Sequence, residues 1–350
     1  MAMKNKKHVK LLSGVLIFLL SGVLIALVVS DILRSNVKET DKMSVAMGTV
    51  ISQKLYSGKD CTAECEEIAG IIKSLEEKIS WRVENSVIST LNRDFAAPCD
   101  DEMKDVFEKS GDIFKATHGA FDITAGKLTA LWNIGEENAR VPSEKEIENS
   151  LAYVDGSKIK INGGKVSVGN GQFVDLGAVG KGLACDKVRE YLETADIKGA
   201  VVSVGGSVLL FGDSGKKEGW SVAVRDPRGE STDYMGLLTL SDCCVSTSGD
   251  YERTLEKDGK IYHHILDART GYPCESGLIS VTVVSESGMM SDLLSTACFL
   301  LGGQEGAKLL EKYNCEGIFI DENRNVYVTS GLSENFVLRS DNYVLCGDLT

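Results

Sequence analysis

Apolar residues recur every three or four positions along several stretches of the chain, which is the spacing of one buried helix face. Between residues 62 and 79 the repeat predicts an amphipathic helix whose inward residues are Ile68, Ile71, Ile72, Leu75 and Ile79. A second helix is predicted at about 101–117, with Met103, Val106, Phe107, Ile113 and Phe114 turned inward. Helical spacing also continues over 183–194, near 289–301 and at 304–313.

Short apolar and β-branched runs, broken by glycine or charged turns, lie between these helices and are typical of strands. A strand is predicted through 44–56, interrupted at Gly48, and short strands with tight turns are predicted between 152 and 174. The other predicted strands are 200–204, 207–211, 220–225, 237–240, 261–266, 278–284, 317–320, 326–329 and 336–338. Strands and helices do not alternate regularly, so the pattern predicts an α+β fold rather than a doubly wound sheet.

The longest apolar run covers residues 11–29, which are uncharged and mostly apolar. As a helix this run would span about 28 Å, roughly the hydrocarbon thickness of a bilayer. Four lysines precede it, so we predict a cytoplasmic N-terminus (1–10), a single-pass transmembrane anchor (11–29), a linker (30–43), an extracytoplasmic domain (44–340) and a C-terminal tail (341–350). A cleaved signal peptide is the alternative, but no A-x-A pattern follows the run, which favours an uncleaved anchor in the cell membrane.

Charge and cysteine content narrow the class of partner. The net charge is −13; the first thirty residues carry +4, which leaves 34 basic against 51 acidic residues, or −17, for the remainder. This acidity argues against binding to nucleic acid. The ten cysteines lack the spacing of a metal site, and disulfides, free thiols and small core residues remain open as interpretations.

The stretch Asp175–Gly182, DLGAVGKG, combines a carboxylate, small residues and one lysine within eight positions. Glycines let backbone groups approach a ligand closely, Lys181 can neutralise a phosphate, and the following helix would direct its N-terminal dipole at negative charge. An ordinary glycine-rich turn before a helix is the alternative. The combination indicates an anionic ligand bound together with a metal.

Asp292 and Thr296 lie four residues apart on a predicted helix and therefore share one face. They place a carboxylate and a hydroxyl in an otherwise apolar stretch, and Mg²⁺ prefers such oxygen ligands together with substrate phosphates. The alternative is an acid near a helix start and a threonine tolerated in the core.

The chain has four histidines, and two of them, His263 and His264, are adjacent on a predicted strand. Side chains alternate across a strand, so only one of the pair can enter a given site. Histidine has a pKa suited to accepting a proton, which makes the pair candidates for a general base.

Five further motifs accompany DLGAVGKG in a fixed order along the chain. They are Met47-Gly48-Thr49, GAFDIT at 119–124, VSTSGDY at 245–251, HHILDARTGYP at 263–273 and SDLLST at 291–296. The set resembles the ApbE family, the FAD:protein FMN transferases, over roughly residues 44–340. The resemblance implies a mixed-sheet core related to the tunnelling fold, and Mg²⁺-dependent transfer of FMN from FAD to a serine or threonine hydroxyl of an acceptor flavoprotein, with release of AMP.

The resemblance also implies which residues contact FAD. Asp175 and Lys181 would hold the cofactor, and Lys181 would also serve the chemistry at the pyrophosphate. The remaining contacts would be made by Met47, Ala120, Phe121, Asp122 and Leu266. Trp81, in the segment Ser80-Trp81-Arg82, is a weaker candidate for stacking on a ring of FAD.

The family pattern further implies a metal site and a base. Asp292, Thr296 and the main-chain carbonyl of Ala178 would bind Mg²⁺, and His264 would activate the acceptor hydroxyl. Asp267 would either orient His264 or lie next to the metal. Ala268 stands where the family usually has proline, which is expected to loosen the turn. Two rival functions remain: an FAD pyrophosphatase that uses water as acceptor, and a flavin-binding protein without turnover, for which a base would have no use.

Overall fold

The computed structural model describes residues 37–213, 219–230 and 232–349. The predicted membrane anchor at 11–29 lies outside these ranges. Among the residues that are described, no helix has both the length and the apolar composition needed to cross a bilayer.

Eight α-helices and seventeen strands are found in the described ranges. The helices are α1 (Thr62–Ile79), α2 (Val87–Asp94), α3 (Asp101–Ala116), α4 (Gly126–Trp132), α5 (Glu144–Leu151), α6 (Gly180–Leu192), α7 (Gly288–Leu301) and α8 (Gly303–Lys312). The strands are β1 (Lys38–Ala46), β2 (Thr49–Ser57), β3 (Ala96–Pro98), β4 (Lys160–Asn162), β5 (Lys165–Ser167), β6 (Gly199–Val204), β7 (Ser207–Gly212), β8 (Trp220–Arg225), β9 (Tyr234–Leu240), β10 (Cys244–Gly249), β11 (Thr254–Lys257), β12 (Lys260–His263), β13 (Leu278–Ser285), β14 (Glu316–Asp321), β15 (Asn325–Val328), β16 (Phe336–Leu338) and β17 (Val344–Gly347).

A nine-stranded sheet forms the centre of the fold, in the order β1-β2-β6-β7-β10-β13-β14-β15-β17. All neighbouring strands in it are antiparallel except β15 and β17, which are parallel, so the sheet is mixed as expected. Smaller sheets are formed by β16-β9-β8, β3-β5-β4 and β11-β12. The α+β class predicted from the sequence pattern is therefore confirmed, as is the mixed-sheet core that the family resemblance implied.

The two faces of the large sheet bury different clusters. Along β2, Ile51 and Leu55 belong to the main core that also contains the apolar faces of α1, α6 and α7. Tyr56 points to the opposite face, into a second cluster with residues of β8, β9 and β16. This alternation follows from the two-residue period of a strand.

The predicted strand at 44–56 is instead a hairpin of two strands, β1 and β2. Met47 and Gly48 form its turn, with φ of 52° and 66°. Residues 38–43, expected to belong to a polar linker, form most of β1, because they pair with β2 along their whole length. In the same way part of the expected C-terminal tail forms β17 at the far edge of the sheet. The strand predicted at 261–266 ends at His263.

Candidate active site

One end of the large sheet gathers the turns that carry most of the predicted site residues. The β1–β2 turn lies beside the β6–β7 turn, where the Gly205 amide donates a hydrogen bond to the Val50 carbonyl (3.3 Å). The Thr247 amide of β10 donates to the Gly206 carbonyl of the same turn (3.0 Å). Motifs far apart in sequence therefore meet at one edge of the sheet.

Lys181 and Asp292 form the charged centre of this region. Lys181 Nζ lies 3.4 and 3.5 Å from the two oxygens of Asp292 and 3.2 Å from the Gly177 carbonyl. The Gly182 amide donates a second hydrogen bond to Asp292 (3.0 Å). Asp292 is buried, so this carboxylate is held by one ammonium and one backbone amide.

Close packing of α6 on α7 sets the distance between Lys181 and Asp292. A Cβ atom at Gly182 would meet the Gly288 carbonyl oxygen at 2.0 Å, so glycine is required there. Asp186 joins the same helices, because its carboxylate accepts hydrogen bonds from Ser287 Oγ (3.0 Å) and from the amides of Gly288 (2.6 Å) and Met289 (2.8 Å). The sequence analysis did not single out Asp186, since its partners are about a hundred residues away.

The VSTSGDY motif packs along α7 through hydroxyl groups. Ser246 Oγ lies 2.7 Å from Ser291 Oγ, and Ser248 Oγ lies 2.9 Å from Ser295 Oγ and 3.2 Å from Thr296 Oγ1. These contacts fix the register of α7 against β10. Thr296 is thereby placed one helical turn beyond Asp292 on the same face.

His263 is the last residue of β12 and His264 follows the strand, and their two side chains have different environments. His263 Nε2 is bonded to the Cys274 carbonyl (2.8 Å), and its ring packs edge-on against Phe299. His264 is held by its amide, which donates to the Arg253 carbonyl (3.2 Å), while its buried Nδ1 has no hydrogen-bond partner in the described residues. His264 therefore keeps a ring nitrogen available for a ligand.

Electrostatics keep His264 neutral. Burial, followed by the nearby charges of Arg253 and Lys181, lowers the pKa of His264 to about 4. Burial also lowers the pKa of His263, although its hydrogen bond to Cys274 opposes this shift. Arg253 and Lys181 are thus close enough for their charges to disfavour a protonated His264 ring.

Asp267 forms its contacts within its own turn. Its carboxylate accepts hydrogen bonds from Arg269 Nη2 (2.6 Å), Nε (3.0 Å) and the Arg269 amide (2.9 Å). No hydrogen bond between Asp267 and His264 is present in the described part of the chain. The geometry therefore gives Asp267 the role of closing the DARTG turn, rather than the orienting role that the resemblance implied.

Ala268 stabilises this turn, contrary to the expectation that it would loosen it. Its amide donates a hydrogen bond to the Ala120 carbonyl (3.0 Å), which ties the turn to the GAFDIT motif. A proline at this position could not donate that bond. The neighbouring Leu266 forms a bridge with Pro273 and packs against a small cluster around Leu128 and Trp132.

The GAFDIT motif is stabilised by core packing and by hydrogen bonds to the Asp122 carboxylate. Ala120 and Phe121 are buried in the main core. The Asp122 carboxylate accepts hydrogen bonds from the Thr124 amide (2.8 Å), the Thr124 hydroxyl (2.7 Å) and the Gly156 amide (2.7 Å). Burial raises the pKa of Asp122 against the effect of these donors. Asp122 thus orders the loop that presents Ala120 and Phe121.

Asp175 lies half-buried in a polar setting beside Trp81. Its carboxylate accepts a hydrogen bond from the Gly177 amide (2.9 Å), and burial raises its pKa while the charge of Arg82 opposes the shift. The indole N–H of Trp81 faces this carboxylate, but it is buried and makes no hydrogen bond of normal geometry. Phe173 packs edge-on against the Trp81 ring (5.2 Å between centroids). An unsatisfied donor beside a carboxyl group suits a ligand with polar edges.

Two charged residues at the site, Glu252 and Arg253, were missed by sequence reasoning. Loss of hydration raises the pKa of the Glu252 carboxyl, and the nearby charges of Lys181, Arg225 and Arg253 oppose that shift. Their only sequence signal is that they directly follow the VSTSGDY motif. In the described ranges no cluster of three or more His, Cys, Asp or Glu side chains could hold a metal by itself.

Comparison with known proteins gives a consistent result. The model of the ApbE family matches residues 47–319. An FAD:protein FMN transferase of Treponema pallidum (strain Nichols) is 30% identical over 336 residues, which are 89% of this chain and 92% of the relative. A protein of the same name from Klebsiella pneumoniae (strain 342) is 31% identical over 296 residues, 82% and 90% of the two chains.

Solved structures agree with the sequence relatives. The crystal structure of the ApbE protein of Thermotoga maritima has a TM-score of 0.77 at 32% identity and covers 87% of this chain and all of that chain. The flavin transferase ApbE of Vibrio cholerae has a TM-score of 0.77 at 25% identity and covers 85% and 99%. Because the family pattern spans most of the sequence and the similarity of fold spans the large sheet, this chain belongs to the ApbE family.

Proposed function

We propose that this protein transfers FMN from FAD to a serine or threonine hydroxyl of an acceptor flavoprotein, releases AMP, and requires Mg²⁺. The relatives that match most of the chain are named FAD:protein FMN transferases, which supports flavin transfer. The observation that carries the proposal is the placement of a neutral, partly unpartnered His264 in the field of Lys181, which itself contacts Asp292. That arrangement combines a base with a phosphate-binding cation.

The residues at the α6–α7 contact fit a magnesium ion. Asp292 and Thr296 offer a carboxylate and a hydroxyl on one face of α7. Among the described residues, no loop or turn amide donates a hydrogen bond to the Ala178 carbonyl. All three candidate ligand atoms are oxygens, which Mg²⁺ prefers. The buried Asp292 carboxylate already lies next to one cation, the Lys181 ammonium. When bound, Mg²⁺ would supply charge neutralisation at the FAD pyrophosphate.

His264 would act on the acceptor. Because its pKa is lowered, the imidazole is neutral at physiological pH and can take the proton of the acceptor hydroxyl. The hydroxyl oxygen then bonds to the phosphorus of the FMN half, and the phosphoanhydride bond breaks with its electron pair leaving on AMP. The proton stays on His264 until it passes to solvent.

Lys181 and Asp175 would hold the substrate. Lys181 Nζ lies at the N-terminal end of α6, where its charge and the helix dipole both favour phosphate oxygens that gain negative charge as the bond breaks. Asp175, with the indole N–H of Trp81 beside it, would receive a polar edge of FAD. Met47, Ala120 and Phe121 would contribute the walls, and Asp122 would keep them in place.

The activity can be tested with the full chain, FAD, Mg²⁺ and candidate flavoprotein domains, each paired with a variant whose acceptor threonine is alanine. We expect covalent flavin on the threonine form, AMP in equal amount, and neither product in EDTA. AMP and free FMN without covalent flavin would favour the pyrophosphatase. Flavin binding without either product would favour a storage protein.

We also propose that residues 11–29 anchor the protein in the cell membrane, with the catalytic domain outside the cytoplasm. The four preceding lysines and the length of the apolar run support this topology. N-terminal sequencing of the membrane fraction tests it. A mature chain that begins after the apolar run would show cleavage instead of anchoring.

A further inference from the structure

Arg253 lies at the mouth of the site between two glycine turns. A Cβ atom at Gly135 would meet Arg253 Cδ at 3.0 Å, so the aliphatic part of the side chain packs directly on that glycine. A Cβ atom at Gly48 would lie 3.9 Å from Arg253 Nη2, so the guanidinium reaches the Met47–Gly48 turn. The side chain therefore spans from the loop after α4 to the β1–β2 turn.

The guanidinium of Arg253 has no ion pair or hydrogen bond with another residue in the described ranges. Two acidic residues near it in the sequence or in the Gly135 loop pair with other arginines. Asp250 accepts two hydrogen bonds of 2.8 Å from Arg228, and Glu136 lies 3.6 Å from Arg82. Asp292 is engaged by Lys181 and by the Gly182 amide. Five N–H donors of a guanidinium are thus open to a ligand with oxygen acceptors.

The position of Arg253 relative to the reacting groups limits what that ligand can be. Its backbone carbonyl holds the His264 amide, and its charge acts on both His264 and Glu252. Lys181 acts on the same two residues. The guanidinium at the Met47–Gly48 turn therefore lies at the edge of the sheet that gathers the other site motifs, and a guanidinium matches phosphate oxygens through paired hydrogen bonds.

We propose that Arg253 binds the diphosphate of FAD, as a second phosphate-binding cation beside Lys181. This inference rests on the proposed function, because it takes FAD as the ligand. Glycine at positions 48 and 135 leaves room for the arginine between the two turns.

The test is a fluorescence titration of the full-length protein with FAD and, separately, with riboflavin, which has no phosphate. We expect Arg253→Met to raise the Kd for FAD on the order of 10-fold or more, the scale of a charge-assisted hydrogen bond, and to leave riboflavin binding unchanged. Arg253→Lys should restore part of the FAD affinity. Lys257→Met makes the same charge change on the adjacent hairpin and should bind FAD like the parent protein.

Three outcomes would overturn the role of Arg253. These are an unchanged FAD Kd in Arg253→Met, an equal loss in Lys257→Met, and an equal loss of riboflavin, which would show a structural effect. The proposed function fails separately, when the parent protein binds FAD but forms no covalent flavin on any acceptor. Binding and transfer are measured in different assays, so the two failures are distinguishable.

Discussion

His264 occupies a site where burial and two cations oppose its protonation. This sets its protonation state over the whole physiological range, and it also makes the residue sensitive to changes in nearby charge. His263, one position earlier, instead uses its ring nitrogen Nε2 in a hydrogen bond with the Cys274 carbonyl. The two neighbours should therefore respond differently to substitution.

We expect His264→Ala to lower the rate of flavin transfer on the order of 10²-fold or more, with little change in FAD affinity, because a base acts only in the chemical step. His263→Ala should lose less rate and more thermal stability, since it removes a buried contact with Phe299 and Cys274. Steady-state kinetics and thermal melts of both variants provide the comparison. A larger rate loss in His263→Ala than in His264→Ala would show that His264 is not the base.

The pH dependence of stability follows from the same shift. The pKa of His264 is about 4 in the folded protein and near the ordinary 6.5 in the unfolded chain. Between these values the unfolded chain binds more protons, so this residue makes the free energy of unfolding fall as pH drops from 6.5 to 4. His264→Ala should flatten that part of the profile, as measured by urea unfolding at several pH values. An unchanged slope would mean that His264 is not buried as described.

Asp292→Asn keeps the shape of the side chain and an oxygen for the Gly182 amide, but it removes the negative charge. We expect loss of Mg²⁺-dependent turnover, with FAD binding in EDTA weakened much less. Kinetics over a range of Mg²⁺ concentrations and a fluorescence titration measure the two effects. Full activity of Asp292→Asn at limiting Mg²⁺ would show that Asp292 is not a ligand of the metal.

At the scale of elements, the contact between α6 and α7 positions Lys181 against Asp292. Gly182→Ala would place a methyl group 2.0 Å from the Gly288 carbonyl oxygen, so the helices must separate. We expect a loss of about 1–3 kcal/mol in the free energy of unfolding, and a fall in transfer rate beyond what the lost stability explains. Urea unfolding and kinetics at a temperature where both proteins are folded measure the two effects.

Gly70→Ala is the matched control. Gly70 lies in α1, where a Cβ atom would meet no other atom within 4 Å. Alanine is the better helix former by about 1 kcal/mol, so this variant should equal or exceed the parent in stability. Equal behaviour of the two glycine variants would contradict the close packing of α6 on α7.

The secondary structure could be predicted where periodicity is long and uninterrupted. The eighteen-residue helix α1 was predicted at its observed bounds, because four isoleucines and one leucine recur at helical spacing between residues 68 and 79. The β1–β2 hairpin was not, since the alternation of side chains continues through the turn and Met47 gives no sign of its positive φ. Partners such as Asp186 with the α7 amides depend on three-dimensional proximity that no spacing encodes.

For the site, motifs located residues but did not assign their contacts. His263 and His264 differ in environment as expected, but β12 ends at His263, so alternation along a strand does not account for the difference. Asp267 looked like a partner for His264, yet Arg269 two residues later takes its carboxylate. Arg253 could not be found from the sequence, since its significance lies in two glycine turns that are distant along the chain.

At the scale of the whole molecule, the ten cysteines are all free thiols, and nine of them are buried. Burial raises the pKa of several, including Cys65 and Cys244, each to about 11, so they should react slowly. We expect one thiol, that of the exposed Cys346, to react rapidly with a thiol reagent in the native protein, and all ten to react after unfolding. Fewer than ten under non-reducing denaturation would reveal disulfides.

The central claim is that one site, containing His264, Lys181 and Asp292, moves FMN from FAD to a protein hydroxyl. The most direct measurement is intact mass spectrometry of a threonine-bearing acceptor domain after incubation with FAD, Mg²⁺ and the full-length protein, together with quantification of AMP. The account predicts that the acceptor gains one FMN joined through phosphate, that AMP appears in equal amount, and that His264→Ala yields neither at a comparable rate. An acceptor of unchanged mass with AMP still released, or full transfer by His264→Ala, would contradict it.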